Sequence, residues 1–89
     1  MKLSFDPAKN RRNVELRGIA FELAVDFEWS SAVVAEDSRR DYGERRFSAL
    51  GFIESRLHVL VFTPRAGNVH VISLRKANAR EVKRYEAQS

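Results

Sequence analysis

The pattern of hydrophobic and polar positions predicts five strands along the chain. Short strand-like runs occupy residues 2–5 and 32–35, and longer runs rich in β-branched and apolar residues span 47–54, 57–63 and 68–75. Only a few residues, with Pro and Gly at useful turn positions, separate the three longer runs. Because connections this short join antiparallel neighbours, we expect the last three strands to pair with one another.

Helical spacing and capping residues predict three helices. Asp6 can accept free backbone N–H groups and Pro7 fits the first helical position, so the first helix begins there and ends before Gly18. A second helix is predicted over 19–29, because four apolar residues fall on one helical face: Ala20, Leu23, Ala24 and Phe27. The third helix follows the last strand.

The predicted order of elements is β-α-α-β-β-β-β-α. This order indicates an α+β fold, with two N-terminal helices and one C-terminal helix on an antiparallel sheet. The strand at 57–63 is almost wholly apolar, so we expect both of its faces to be covered. The helices can cover one face, and the other requires the final helix, a second subunit or a partner protein. With 89 residues, the chain is expected to form a single domain over 1–89.

The composition adds a basic bias to this picture. The chain has 16 Lys and Arg against 12 Asp and Glu, and its net charge of +4 favours a polyanionic partner. The absence of cysteine excludes disulfides, thiolate nucleophiles and Cys-based metal sites. No segment resembles a signal peptide or is apolar enough to span a membrane, so we expect a cytoplasmic protein without membrane association.

The third predicted helix begins within a group of cations. Asn78 is a good N-cap, and Glu81 can reach back to the Asn78 backbone N–H in the reciprocal arrangement of a capping box. Five cations surround this start: Arg75, Lys76, Arg80, Lys83 and Arg84. The partial positive charge of a helix N-terminus disfavours cations there, whereas a docked anion would explain them. The alternative is a solvated face whose side chains point away from the helix dipole.

A second cationic segment, over 36–46, is predicted as a loop. Four arginines are interleaved there with three acids: Arg39, Arg40, Arg45 and Arg46 with Asp37, Asp41 and Glu44. One interpretation is a surface loop that neutralises its own charge. The other is a guanidinium cluster around Tyr42 that holds phosphates and stacks a base.

Few residues indicate a familiar catalytic or metal site. The two histidines, His58 and His70, lie in strand patterns; as a pair across the hairpin they could bind a metal, but hydrogen-bonded histidines at a sheet surface fit the pattern better. The chain contains no nucleophile elbow, phosphate-binding loop or HExxH motif. We therefore predict no metal and no cofactor.

Cleavage of RNA is one reaction that such a chain could perform. The substrate's own 2′-hydroxyl can attack the neighbouring phosphorus, so the protein must orient it, stabilise the phosphoryl charge and transfer two protons. Glu81 is a candidate base, although capping explains it without catalysis, and Glu44 and Tyr85 are weaker candidates. The candidates for stabilising the charge lie at the last strand-to-helix junction: Arg75, Lys76 and Arg80, with Arg84 one turn beyond.

Four segments carry a resemblance to a known family: FDPAKNRRN, RGIAFELA, EDSRRDYGERRFSALG and VISLRKANAREVKRYE. In this order, over nearly the whole chain, they resemble the BrnT toxins of bacterial type II toxin–antitoxin modules. The resemblance implies a RelE-like fold and a metal-independent endoribonuclease that cleaves RNA through 2′-hydroxyl attack and inhibits translation and growth. It also implies a BrnA-like antitoxin, a heterotetrameric complex, and binding of operator DNA only through the antitoxin.

Some of the family's motif positions coincide with residues that the charge pattern selects. The motif at the end of the chain corresponds to Arg75, Lys76, Glu81 and Tyr85. The motif in the middle corresponds to Asp41, Tyr42, Gly43, Glu44 and Arg46. The opening motif corresponds to Asp6, Pro7, Lys9, Asn10 and Asn13. From both sources together we predict catalytic roles for Arg75, Lys76, Arg80, Glu81 and Arg84, and RNA contacts for Lys9, Arg39, Arg40, Tyr42 and Arg46. The chain departs from the family at Leu16-Arg17, where relatives commonly have Lys-His, so one possible proton-transfer group is missing.

Two functions therefore follow from the sequence, beside a third interpretation as a structural protein with a merely basic surface. The first is an endoribonuclease toxin that positions RNA across the strand-to-helix junction from Arg75 to Arg84 and across the arginine loop from Arg39 to Arg46. The alternative is a non-catalytic module that binds nucleic acid or the antitoxin.

Overall fold

A five-stranded mixed sheet forms the centre of the fold in the computed structural model, which describes residues 2–39 and 41–88. The strands are β1 (Leu3–Phe5), β2 (Val33–Asp37), β3 (Arg46–Ile53), β4 (Arg56–Arg65) and β5 (Asn68–Lys76), arranged in the order β1-β5-β4-β3-β2. The four strands β2 to β5 are antiparallel neighbours, whereas β1 pairs with β5 in parallel. The α+β class is confirmed, but the prediction of a wholly antiparallel sheet is wrong at β1, because no short connection dictates the direction of a pairing so distant in sequence.

Tight turns join β3, β4 and β5 as predicted. The turn between β4 and β5 has positive φ at both central residues, 49° at Ala66 and 79° at Gly67. This geometry belongs to the two-residue turns that match the twist of paired strands, and it favours glycine. β4 extends through Pro64 and Arg65, two residues beyond the predicted strand, because the turn contains only residues 66 and 67.

Helix α1 (Pro7–Arg17) begins and ends where the sequence predicts. The Asp6 carboxylate accepts a hydrogen bond from the Ala8 N–H at 2.9 Å, and Gly18 ends the helix with φ 70°. Asn13 is the buried residue of α1, and its side-chain amide donates to the carbonyls of Ile19 at 2.8 Å and Leu74 at 2.9 Å. β1 pairs only with the first part of β5, so Asn13 occupies the sheet edge beyond that pairing.

The predicted second helix is wrong. Residues 19–29 instead form the 3₁₀ segment Phe21–Asp26, which is followed by a second 3₁₀ segment, Trp29–Ser31. The buried residues Phe21, Ala24 and Phe27 recur every third position, the period of a 3₁₀ helix, and Leu23 is 42% exposed. The predicted order of elements therefore fails at its third member. The RelE-like relation stays a prediction.

The sheet has two faces, which differ in how they are covered. The covered face packs against the first 3₁₀ segment, and its core includes Phe21, Ala49, Leu60 and Leu74. The opposite face is called the open face here, because α2 (Ala79–Gln88) covers only one end of it. No helix within the described ranges is long and apolar enough to cross a membrane.

Helix α2 packs on the open face through the apolar parts of two side chains. Val82 and Tyr85 pack against the buried residues Leu50, Leu57 and Val59. The Tyr85 hydroxyl donates to the Ser31 carbonyl at 2.8 Å. The prediction that both faces of the central strand are covered is thus confirmed for the end of β4 beneath α2.

A β-bulge interrupts the pairing of β4 with β5. Val61 lies opposite Ser73 and Phe62 opposite Val71, so Ile72 has no partner on β4. The bulge leaves an extra residue on β5, which locally increases the twist.

Candidate functional site

The end of the open face away from α2 carries a row of polar side chains that crosses all five strands, and the middle member of the row, Thr63, is buried. Cross-strand pairing defines the row, since each member lies opposite or directly beside the next. Neighbouring strands are about 4.8 Å apart, so the row is about 19 Å long. From β2 to β1, its members are Asp37, Arg46, Thr63, His70 and Ser4.

Arg46, on β3, is the second member of this row. Its guanidinium carbon lies 3.8 Å from the centroid of the Tyr42 ring, a cation–π contact. The Arg46 Nε atom is buried and makes no hydrogen bond within the described residues. The Tyr42 hydroxyl donates to Asp37 at 3.1 Å, which orients the ring.

His70 lies two strands away from Arg46 in the same row. Its Nδ1 atom is 2.8 Å from the Ser4 hydroxyl oxygen. Burial, followed by the charge of Arg65 and more weakly that of Lys9, lowers the pKa of His70, while the carboxylates of Glu44 and Asp6 oppose this. The net effect favours the neutral form of the ring.

Arg75 and Glu81 form an ion pair at the edge of α2. The two terminal nitrogens of Arg75 each donate to a different Glu81 oxygen at 2.8 Å, and Glu81 also accepts from the Asn78 N–H at 2.9 Å. The hydrogen bonds from Arg75 are the main cause that lowers the pKa of Glu81 to about 2. Asn78 Oδ1 in turn accepts from the Glu81 N–H at 2.8 Å, so the predicted capping box is confirmed.

A groove of about 400 Å³ connects this pair with the arginine loop. Arg75 and Glu81 line one side, and Asp37 and Arg39 line the other. Its floor includes Ser48 and Val61 of the sheet. The groove and the polar row thus share the open face.

Acids of the same chain neutralise most of the arginines near this face. Arg39 pairs with Asp37 and Arg45 with Glu36, each at 2.9 Å, and these carboxylates have lowered pKa values because of the arginine hydrogen bonds. The self-neutralised interpretation therefore holds for Arg39 and Arg45. Arg46 differs, because it has no carboxylate partner among residues 2–39 and 41–88.

The predicted catalytic residues do not converge on one surface. Arg75 lies opposite Val59 on the open face, whereas Lys76 lies opposite His58 and points to the other face. Arg80 and Arg84 are exposed on α2, on the side away from Val82 and Tyr85. Arg84 is near enough to Glu81 to contribute to its lowered pKa.

The predicted RNA-contacting residues are distributed more widely. Arg39, Tyr42 and Arg46 lie around the groove and the polar row. Lys9 is exposed on α1 and lines a separate cavity of about 230 Å³. Arg40 lies outside the described residues.

Sequence reasoning did not select Ser4, Arg65 or His70 for this site. Arg65 pairs with Glu44 at 2.9 Å and acts on the pKa of His70. The two-residue turn after Arg65 fixes the pairing of His70 with Thr63, so this part could have been found from the sequence. No local signal indicates that Ser4 joins β5.

The two histidines are separated by the sheet. His58 is buried, its Nδ1 atom lies 2.8 Å from the Arg56 carbonyl oxygen, and it faces the side opposite to His70. Both are hydrogen-bonded, but only His70 faces the open side. In the described part of the chain, no three His, Cys, Asp or Glu residues are arranged to hold a metal ion.

Comparisons with known proteins place the chain in a family. A comparison with curated proteins gives no match. Residues 5–81, which include every member of the polar row except Ser4, match the family described as "Ribonuclease toxin, BrnT, of type II toxin-antitoxin system". The resemblance found in the sequence is confirmed, and the chain belongs to the BrnT family of ribonuclease toxins from type II toxin–antitoxin systems.

Proposed function

We propose that this chain is a metal-independent endoribonuclease toxin that binds single-stranded RNA on the open face of the sheet. RNA would be cleaved there through attack of its own 2′-hydroxyl on the adjacent phosphorus, which would inhibit translation and growth. The observation that carries this proposal is the polar row, in which Arg46 makes no ion pair with a carboxylate among the described residues. The cytoplasmic location of the protein stays a prediction.

Arg46 and Tyr42 supply binding chemistry suited to RNA. A guanidinium group without an ion-paired carboxylate can donate to phosphate oxygens, and no ion pair holds that of Arg46 among the described residues. The aromatic ring beneath it can stack a base once RNA approaches. Arg39 and Lys9 would add charge at the margins.

Arg75 supplies a second contact point on the same face. Arg75 and Arg46 lie beside Val59 and Thr63 of β4, so their backbones are about 13 Å apart along the strand. This distance suits an extended strand of RNA better than a single phosphate. Glu81 would orient the Arg75 guanidinium rather than act as a base, because its pKa of about 2 makes it a weak proton acceptor.

Two neighbouring variants with equal charge change test the surface. Arg75→Ala removes a cation from the open face, and Lys76→Ala removes one from the opposite face. We expect Arg75→Ala and Arg46→Ala to lose RNA cleavage in the presence of EDTA, while Lys76→Ala retains it. If Lys76→Ala lost RNA cleavage and Arg46→Ala retained it, the result would instead support Lys76, Arg80 and Arg84 as the catalytic group.

A non-catalytic module that binds RNA or an antitoxin is the alternative function. Two of the predicted bases, Glu81 and Glu44, favour this alternative, because both are bound to arginines and have lowered pKa values, which makes them weak proton acceptors. Retention of RNA without cleavage products would support it. We separate the two by incubating the purified protein with labelled RNA and EDTA, then measuring both products and complex.

We also propose that a small BrnA-like antitoxin neutralises this chain. An apolar groove of about 650 Å³ between α2 and the β3–β4 turn, lined in part by Phe52, Leu57 and Val82, offers a surface for a protein partner. Co-expression with the protein from the adjacent reading frame followed by size exclusion tests this, and two separate peaks would count against it. A heterotetramer, and operator binding through the antitoxin, stay predictions.

A further inference from the structure

The proposed reaction requires a group that accepts the proton of the 2′-hydroxyl, and the carboxylates of the open face are poor candidates. Arginine hydrogen bonds lower the pKa values of Asp37, Glu44 and Glu81. Each carboxylate also already accepts those bonds in the folded protein. A proton acceptor near neutral pH should instead have a pKa close to the working pH.

His70 has the geometry that the carboxylates lack. Ser4 contacts only its Nδ1 atom, at 2.8 Å, and this contact fixes the orientation of the ring. Its Nε2 atom makes no hydrogen bond within the described residues and is not completely buried. An imidazole with one nitrogen held and the other not hydrogen-bonded is the arrangement used for proton transfer.

Cations surround His70 from three elements of the fold. Arg65 at the end of β4 and Lys9 on α1 both act on its charge, and Arg46 lies two strands away, about 10 Å by strand spacing. The facing acids are Glu44, which Arg65 already binds, and Asp6, which caps α1. A phosphodiester beside His70 would therefore meet several positive groups.

We propose that His70 is the catalytic base of the ribonuclease reaction and that Ser4 is its positioning residue. Nδ1–H donates to the Ser4 oxygen, and the Nε2 lone pair takes the proton from the 2′-hydroxyl. The O2′–P bond forms, the P–O5′ bond breaks, and the leaving 5′ oxygen takes a proton from water. The products are a 2′,3′-cyclic phosphate and a 5′-hydroxyl, and protonated His70 returns its proton to the hydroxide. This inference rests on the proposed function.

Cleavage of a short single-stranded RNA, measured in EDTA across pH 5 to 8, tests the assignment. In the wild type, the rate should rise with pH as His70 loses its proton, with a midpoint below the ordinary histidine value of about 6.5. His70→Gln should lower kcat by roughly 10²–10⁴-fold and remove this limb, whereas binding of a non-cleavable 2′-deoxy strand stays unchanged. Ser4→Ala should retain part of the activity, and the midpoint of its rise in rate with pH should shift.

A second variant keeps the test decisive if His70→Gln fails to fold. His70→Ala should regain cleavage when free imidazole is added, and the wild type should not respond. A folded His70→Gln protein with unchanged rate and pH limb overturns the inference and leaves the proposed function standing. Absence of cleavage by the wild type at every pH refutes the proposed function, and the inference with it.

Discussion

The Arg75–Glu81 ion pair can be tested directly by a single substitution. Glu81→Gln removes the charge that two Arg75 nitrogens contact at 2.8 Å. The glutamine oxygen can still accept from the Asn78 N–H, because a capping box tolerates Gln at this position. The substitution therefore isolates the ion pair from the helix cap.

The expected magnitude follows from the pKa of Glu81. A fall from the ordinary value of 4.5 to about 2 corresponds to about 3 kcal/mol of extra stability when the carboxylate is ionised. Solvent screens part of this, since the side chain of Arg75 is 35% exposed although that of Glu81 is only 12% exposed. We expect Glu81→Gln to lower the free energy of unfolding by about 2 kcal/mol at pH 7.

The pH dependence gives the sign of the effect. Because folding lowers the pKa of Glu81, its stabilisation is fully present above about pH 4.5 and is lost as the pH falls towards about 2. The difference between wild type and Glu81→Gln should therefore be constant near neutral pH and shrink below about pH 4.5.

Urea unfolding at pH 7, 5 and 3 measures this difference. Glu15→Gln is the matched control, because Glu15 is exposed on α1 and makes no ion pair in the parts of the chain that the structure describes. It should stay within about 0.5 kcal/mol of the wild type. A Glu81→Gln effect below 0.5 kcal/mol, or one of equal size at pH 3 and pH 7, would refute the reasoning.

Three further substitutions test hydrogen bonds and close packing within the fold. Asn13→Ala leaves two buried carbonyls without their donor, so we expect a loss of about 2 kcal/mol and a drop in Tm of about 8–16 °C by thermal circular dichroism. Gly51→Ala places a Cβ atom 2.6 Å from the Phe27 ring and should cost about 1–3 kcal/mol in urea unfolding, whereas Ser48→Ala on the other face of β3 should change little. Thr63→Val removes the hydroxyl that donates to a loop carbonyl at 2.5 Å and should lower the free energy of unfolding by about 1 kcal/mol; a stability equal to that of the wild type would show that this bond contributes nothing.

The elements that local chemistry specifies could be predicted from the sequence. Asp6 and Gly18 mark the ends of α1, and Asn78 with Glu81 marks the start of α2. The two-residue turn at Ala66 and Gly67 fixes how β4 pairs with β5. In each case the signal and the structure lie within a few residues of each other.

Features that depend on distant contacts could not be predicted. The apolar residues of 19–29 match the spacing of an α-helical face. In the structure, however, Phe21, Ala24 and Phe27 are the residues buried against the sheet, and they recur at the 3₁₀ period. The parallel pairing of β1 with β5 brings Ser4 to His70 across 66 positions. Charge patterns likewise do not say which acid each arginine selects, so the sequence could not distinguish the paired Arg39 from Arg46.

The unpaired Ile72 decides which groups appear on the same side of β5. Residues an odd number of positions apart normally point in opposite directions along a strand, and His70 and Arg75 are such residues. Both nevertheless face outward, because the extra residue between them reverses the alternation once. Deleting position 72 would restore regular alternation and turn either the imidazole or the guanidinium into the hydrophobic interior. One inserted amino acid therefore determines whether the two ends of this surface can meet the same bound strand.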